Sequence, residues 1–234
     1  MEKKDLLKDV IKHIDIKSYN STELVDAMRN MSFTSRDTAR AADILMMMCK
    51  EKECTNILTL AGSTSAAGCM QVYVDMVRNK MIDVVVATGA SIIDMDLFEA
   101  LGFKHYIGEK ENVIPDTTLR ELYIDRIYDT YIDEEELQAC DHTTFKIANM
   151  LEARPYSSRE FIYEIGKWLH EGNAVKKDSL IQTCYECGVP IFVPAFSDSS
   201  AGFGIGKHQW ERMQKGEKYL SIDSVKDFIE LTQI

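Results

Sequence analysis

Three clusters of glycine and small hydroxyl-bearing residues, each directly after an apolar run, are where this chain can do chemistry. The first is Gly62, Ser63 and Ser65, after Asn56-Ile-Leu-Thr-Leu-Ala61. The second is Thr88, Gly89 and Ala90, after Met81-Ile-Asp-Val-Val-Val-Ala87. The third runs from Ser197 to Gly206, holds Asp198 and Ser200, and follows Val189-Pro-Ile-Phe-Val-Pro-Ala-Phe196. Side chains this small let a ligand reach the backbone, and free N–H groups at a helix start attract an anion such as a phosphate. Two carboxylates, Asp94 and Asp96, follow the second cluster. They suit ribose hydroxyls or an amine; equally, they can serve only as negative charge at a helix N-terminus, worth a few tenths of a kcal/mol each. The spacing is not GxGxxG, and small residues also simply close strand-to-helix turns. The pattern alone leaves both readings open.

The elements that must position these clusters follow from periodicity. Apolar β-branched runs predict strands over 57–61, 82–87 and 189–196, and a helix over about 65–80 makes the first two a βαβ unit. Four apolar positions in 82–87 predict a central parallel strand covered on both faces. Gly68 falls in the first turn of the intervening helix, where it costs stability unless something approaches closely. Three strand ends with small-residue loops are the pattern of a nucleotide site at the carboxyl edge of a doubly wound sheet.

Upstream, residues 2–13 predict a short helix, 13–16 an extended piece, and Ser21 and Thr34 begin two further helices, the second reaching Lys50. Downstream, 97–101 is helical, 105–107 a short strand and 109–117 a loop. Helices are predicted over 118–130 and from Asp133 onward. Ser157-Ser-Arg-Glu160 is a capping box, Ser179 opens a helix closed by Gly188, and a last helix runs from about 221 to 231 with Ser221 or Asp223 as cap.

The chain has 234 residues, 45% of them hydrophobic and 28% charged, which suits one α/β domain. Its net charge of −11 argues against a duplex nucleic-acid surface or an anionic membrane, and permits a cationic ligand such as a polyamine. No apolar run approaches the roughly 20 residues of a membrane span. The charged start Met1-Glu-Lys-Lys-Asp5 is not a signal peptide. The six scattered cysteines are then expected to be reduced thiols of a cytoplasmic protein. Cys184-Tyr-Glu-Cys187 lacks two further ligands at zinc spacing, so no metal site is expected.

Several segments together resemble the deoxyhypusine synthase family, in its deoxyhypusine synthase-like prokaryotic branch. They are Leu60-Ala-Gly-Ser63, Thr88-Gly-Ala90, Asp96-Leu-Phe-Glu-Ala-Leu-Gly-Phe-Lys-His-Tyr106, Asp125-Arg-Ile-Tyr-Asp-Thr130, Tyr156-Ser-Ser-Arg-Glu-Phe161 and Pro194-Ala-Phe-Ser-Asp-Ser-Ser-Ala-Gly202. The likeness runs in order from about residue 15 to 234. It implies a Rossmann-like parallel sheet with a helical N-terminal extension over 1–53. It also implies a homotetramer with active sites shared across a dimer interface. NAD is implied as a cofactor used within the cycle. Spermidine would be oxidised to an imine, its butylimine moiety passed to an enzyme lysine, then to a lysine of the hypusine-bearing translation factor; related homospermidine synthases use putrescine as acceptor.

Carried over by position, Gly62, Ser63 and Ser65 match the first nucleotide loop and Thr88, Gly89 and Ala90 the second. Asp198 and Ser200 match a ribose-proximal loop. Asp94 and Asp96 fall where the family has acidic residues near NAD and polyamine; of the two, Asp94 is assigned to the cofactor and Asp96 to the substrate. Phe203 stands where the best-known members carry an acidic polyamine contact. The family's later Pro-Lys-Asn segment and its Ser-Trp-Gly-Lys motif, whose lysine forms the covalent imine, do not occur in this sequence. The resemblance therefore covers the N-terminal two-thirds of the family pattern, the chain is expected to be truncated at its C-terminus, and no catalytic residue is nominated. Three expectations compete: a transferase completed by a C-terminal part or a complementing chain, a non-catalytic NAD-binding or regulatory subunit of a complete family member, and a truncation product that does not fold alone.

Overall fold

A three-stranded parallel sheet forms the centre of the computed structural model, which describes residues 1–109 and 114–234. The chain starts with α1 (Lys3–Leu6), an extended stretch, and a helical hairpin of α2 (Thr22–Met28) and α3 (Phe33–Lys50). Then come β1 (Ile57–Leu60), α4 (Met70–Arg78) and β2 (Val84–Ala87). A helical passage over 90–97 runs into α5 (Phe98–Ala100), followed by β3 (Tyr106–Ile107), α6 (Asp116–Glu121) and the hairpin β4 (Ile124–Ile127) and β5 (Thr130–Asp133). The remainder is α7 (Glu134–Met150), β6 (Pro155–Tyr156), α8 (Ser158–Trp168), α9 (Leu180–Cys187), β7 (Ile191–Phe192), α10 (Ala201–Gln214), β8 (Ser221–Ile222) and α11 (Ser224–Leu231).

The parallel sheet has the order β1-β2-β7, with Leu60 opposite Ala87 and Val86 opposite Phe192. All three strands point the same way, so their carboxyl ends share one edge. The central strand is covered as its apolar run predicts: Val84 is buried, and Val85 lies in the core with Leu60, Val74, Ile92, Phe161 and Ile191. The caps read from sequence form. Ser157 and Glu160 exchange both capping-box bonds, Ser179 caps α9, and Gly188 closes it at φ 72°. Asp223, not Ser221, caps α11, because Ser221 pairs with Pro155 in a two-stranded ladder.

Four local expectations are corrected. The helix over 118–130 is instead short α6 followed by the antiparallel β4–β5 hairpin, whose turn holds Tyr128 at φ 54°. Burial of Ile124 and Tyr131 against Leu6, Ile114 and Leu119 outweighs helix propensity there. The helix over 2–13 is confined to Lys3–Leu6, since Val10 bridges to Tyr106 and the Ile11 N–H donates to the His105 carbonyl. The helix over 65–80 is kinked at Gly68, whose φ is 100°. What approaches Gly68 is the chain itself: a Cβ there would lie 3.0 Å from the Lys12 carbonyl oxygen, and the Gly68 carbonyl accepts the Ile14 N–H. Finally, the small residues from Ala201 onward are helix rather than loop; in α10, a side chain at Gly204 would meet the Asp141 carbonyl oxygen at 2.5 Å. Gly204 is where α10 lies against α7, whereas a side chain at Gly202 would meet the Ser197 carbonyl oxygen at 2.5 Å. The loop expected over 109–117 falls partly on 110–113, outside the described residues.

The N-terminal stretch straps the body together. Lys3 bonds Asp133 (2.6 Å), Lys17 bonds Asp75 (2.7 Å), and His13 bonds the buried Glu99 (2.6 Å). No helix among the described residues is long and apolar enough to cross a membrane. The six cysteines are free thiols, with Cys140 and Cys184 in the core.

Candidate functional site

Because the three strands are parallel and in register, their C-terminal loops meet. The first turn is open: Gly62 has φ 72°, a backbone shape that L side chains rarely adopt, and nothing lies within 4 Å of where its Cβ would be. The N–H groups of Gly62 and Ser63 donate to no protein acceptor among the described residues. Ser63 is half-buried, whereas Ser65 is buried beneath the turn at 1% exposure.

Ser91 ties the first turn to the second. Its buried Oγ donates to the Gly62 carbonyl (3.2 Å) and lies 3.0 Å from Thr88 Oγ1, which also accepts the Ser91 N–H (3.3 Å). Thr88 is exposed and Ala90 half-buried on the same edge. The third loop closes over the second: a Cβ on Gly89 would sit 2.5 Å from the Ser199 Cβ. Gly89 is therefore required by the chain's own packing. Asp198 is exposed on the same loop.

The two aspartates separate. Asp94 is half-buried and accepts from Ser200 twice, from Oγ at 2.6 Å and from the backbone N–H at 3.3 Å, at the start of α10. Burial raises its pKa, and the Ser200 bonds pull it back down. Asp96 is 1% exposed, and its oxygens take the Ser179 hydroxyl and the Leu180 and Ile181 N–H groups, each at 2.8 Å. The expectation of Asp96 as a substrate ligand is thus corrected: it is consumed by the N-terminus of α9, where buried N–H groups need an acceptor. Sequence spacing could not separate residues two apart in a helical passage; only the direction of each side chain does.

Asp141 was not predicted. It lies on α7, where the Gly204 contact brings it beside Ser200 and Asp94. Its Oδ1 is buried without a partner. Burial and the Asp94 and Glu134 charges push its carboxyl up to about 6, against the pull of the Ser200 hydroxyl. The one hydroxyl proton of Ser200 cannot serve both carboxylates, so the trio crowds negative charge at the strand ends. The folded state then keeps a proton that the unfolded chain, with an ordinary value of 3.8, releases. The Asp141 contribution is fully present below pH 3.8 and is lost as pH rises through about 6, becoming a cost at neutral pH. Asp141→Asn, neutral throughout, is expected to raise the melting temperature by about 3 °C at neutral pH, a gain of about 1 kcal/mol after solvent screening. Near pH 3.8 it should leave the melting temperature unchanged; calorimetry at the two pH values checks both.

The matched positions thus form one edge: Gly62, Ser63, Thr88, Ala90, Asp94, Asp198 and Ser200 around the strand ends, with Ser65 and Gly89 supporting them from below. The family model for deoxyhypusine synthase matches residues 23–234. A deoxyhypusine synthase-like protein of Caulobacter vibrioides is 64% identical over 233 residues, covering 100% of this chain and 63% of its own. One from Coxiella burnetii is 57% identical over 232 residues, covering 99% and 64%, and one from Chlorobaculum tepidum is 54% identical over 234 residues, covering 100% and 65%. This chain therefore spans about 63% of the length of the curated relatives it matches. A crystal structure from Entamoeba histolytica, assigned to deoxyhypusine synthase, superposes with a TM-score of 0.62 at 20% identity, over 95% of this chain and 76% of that one; it speaks to the fold alone.

Proposed function

The chain belongs to the deoxyhypusine synthase family, and from that premise we propose that it serves NAD-dependent aminobutyl transfer from spermidine, or a related polyamine, to an amine acceptor. The observation that carries this reading is the convergence of three small-residue loops at one sheet edge, with an open left-handed glycine and undonated N–H groups at its first turn. That arrangement fits the phosphates of a dinucleotide. When bound, NAD would supply the hydride acceptor that turns a secondary amine into an imine and later returns the hydride.

The Gly62 and Ser63 amides would hold the pyrophosphate. Thr88 and Ala90 would flank it, and Asp198 and Ser200 would meet a ribose. Asp94 presents carboxylate density at this edge. With Asp141 behind it, Asp94 suits a ribose hydroxyl or a protonated amine. Ser65, Gly89 and Ser91 hold the loops in place.

The covalent imine needs a desolvated lysine against the substrate. Lys207 does not qualify: it is exposed and stands 5.0 Å over the Phe145 ring. By the family resemblance that lysine belongs to a Ser-Trp-Gly-Lys motif, which does not occur in these 234 residues; in this reading a continuation or a complementing chain would supply it. The acceptor is a protein lysine, as in the hypusine-bearing translation factor, or putrescine; the assembly is a homo-oligomer, a tetramer by family analogy, in the cytoplasm.

Titration calorimetry with NAD⁺ tests the reading. Saturable binding is expected, and Asp94→Asn should weaken it about tenfold, equivalent to about 1.4 kcal/mol. Absence of NAD⁺ binding by the folded chain would overturn the proposal. NAD⁺ binding, or stimulation of a complete family member, with no covalent adduct on this chain would identify a regulatory subunit instead.

A further inference from the structure

His208 of α10 accepts a hydrogen bond that a proton on its ring would abolish. The residue is buried, and both ring nitrogens are engaged. Nε2 faces the Leu220 N–H at 2.9 Å, and Nδ1 lies 3.0 Å from Asn149 Oδ1 of α7. A backbone N–H only donates, so the nitrogen facing Leu220 must carry a lone pair. The other nitrogen then carries the ring's single hydrogen and donates it to Asn149 Oδ1. That oxygen also accepts from Arg212, from Nε at 3.3 Å and from Nη2 at 3.2 Å. Geometry therefore fixes the folded ring as neutral. An imidazolium has a hydrogen on both nitrogens, so turning the ring over is no remedy: two donors would face each other at Leu220.

The bond fastens a segment with little packing of its own. Leu220 is fully buried, and α10 holds it on both sides, because Gln209 Nε2 donates to its carbonyl (3.1 Å). From there the chain enters β8, which pairs with the two residues of β6, and then α11. Within α11 only Asp227 is buried, while Val225, Phe228 and Ile229 are exposed. Polar contacts to the start of α8 add to the hold: Asp227 accepts from Ser158 Oγ (2.9 Å), and Glu230 from Ser157 Oγ (2.9 Å) and Arg159 Nε (2.7 Å). Few buried apolar contacts place such a segment among the parts of a fold that open first.

The signs of the nearby titrations separate His208 from its neighbours. The charged groups acting on the ring are Arg212 and Glu211, both of α10. From α7 it meets the uncharged Asn149, and Glu217, just before β8, is bound to Arg212 Nη1 (2.9 Å). Burial first, and the Arg212 charge second, lower the His208 pKa from its ordinary 6.5, against the pull of Glu211. The open segment thus takes up a proton that the closed one refuses. Closure is at full strength above pH 6.5 and weakens as pH falls below it. Nearby carboxyls act the other way or stay unchanged in that range. Burial raises Asp227 and Asp141, so acid favours their folded forms. Glu160 and Glu230 are held below their ordinary 4.5 by their cationic and hydroxyl partners, and remain charged.

We propose that His208 is a proton-operated latch: its neutral ring fastens Leu220, and a proton on the ring frees the β8–α11 segment while the central sheet stays folded. The latch rests on no part of the catalytic reading, so it is tested without NAD⁺ or polyamine. Hydrogen exchange of the full chain is compared at about pH 8 and about pH 5, each rate corrected for the intrinsic effect of pH on exchange. Protection of the amides of 220–231 is expected to fall about tenfold, since one linked proton changes an opening equilibrium by up to about tenfold per pH unit. The β2 amides should keep theirs. His208→Gln, whose side-chain carbonyl can still accept from Leu220 and does not titrate, should flatten the dependence. A second measurement needs no variant: in an NMR titration of the unaltered chain, protonation of the His208 ring and loss of protection in 220–231 should share one pH range. Protection unchanged between the two pH values, an equal loss in β2, an undiminished loss in His208→Gln, or a ring that protonates while the segment stays protected would each overturn the proposal.

Discussion

Asp96→Ala is expected to destabilise the protein by about 3 kcal/mol, from one lost helix cap and buried donors left without an acceptor. The carboxylate sits at 1% exposure and collects three hydrogen bonds of 2.8 Å, from the Ser179 hydroxyl and from the first N–H groups of α9. Burial pushes its pKa up, while the Ile181, Leu180 and Ser179 bonds and the Lys176 charge oppose that rise. Alanine removes the acceptor and leaves a void that water cannot easily fill. Because α9 packs on α4 and α8, the loss spreads across one face of the sheet. Urea unfolding of the variant measures the effect. A loss under about 1 kcal/mol, within the range of an exposed cap, would refute the structural assignment. Weaker polyamine binding at unchanged stability would return Asp96 to the ligand site.

Glu99→Gln is expected to cost about 3 kcal/mol, at the lower end for a broken buried ion pair because Lys176 is partly exposed. Glu99 receives His13 at 2.6 Å, His105 at 2.8 Å and Lys176 at 2.5 Å. Burial by itself would raise its pKa; the bonds from His105 and His13 and the charge of Lys176 overcome that and hold the carboxyl well below the usual range. A depressed carboxylate stabilises the fold above its unfolded value of 4.5, and that contribution is lost as pH falls below it. The stability gap between the variant and the parent should therefore close progressively in acid. His13 also lies on the N-terminal strap, so the variant is expected to release residues 1–19 to limited proteolysis at neutral pH. Equal resistance in both proteins, or a gap that does not narrow below pH 4.5, would show that the cluster does not hold the strap.

Much of the architecture was legible because it is local. Val84, Val85 and Val86 form one apolar run, and only a strand covered on both faces accommodates it. Ser157 and Glu160 carry their own cap, and Gly188 its own stop, whatever packs around them. The small residues at 62–65, 88–90 and 197–200 mark the strand ends, and parallel pairing alone is enough to bring them to one edge.

What sequence left open needed the third dimension. Periodicity over 118–130 fits a helix as well as a hairpin; burial of Ile124 and Tyr131 with Leu6 and Ile114, residues outside the segment, decided it. The glycines of 202–206 look like a loop until α7 is seen lying against Gly204. Asp94 and Asp96 are indistinguishable as letters two positions apart, and the α9 N-terminus, more than eighty residues downstream, claims one of them. Asp141 carries no motif at all, because its importance comes from a helix crossing. The sequence by itself determined the family, the parallel sheet and the three loops, since those follow from short-range pattern. Tertiary structure alone decided which carboxylate faces the open edge and which one caps a helix. Those facts depend on contacts between residues far apart in the chain, which no local pattern encodes.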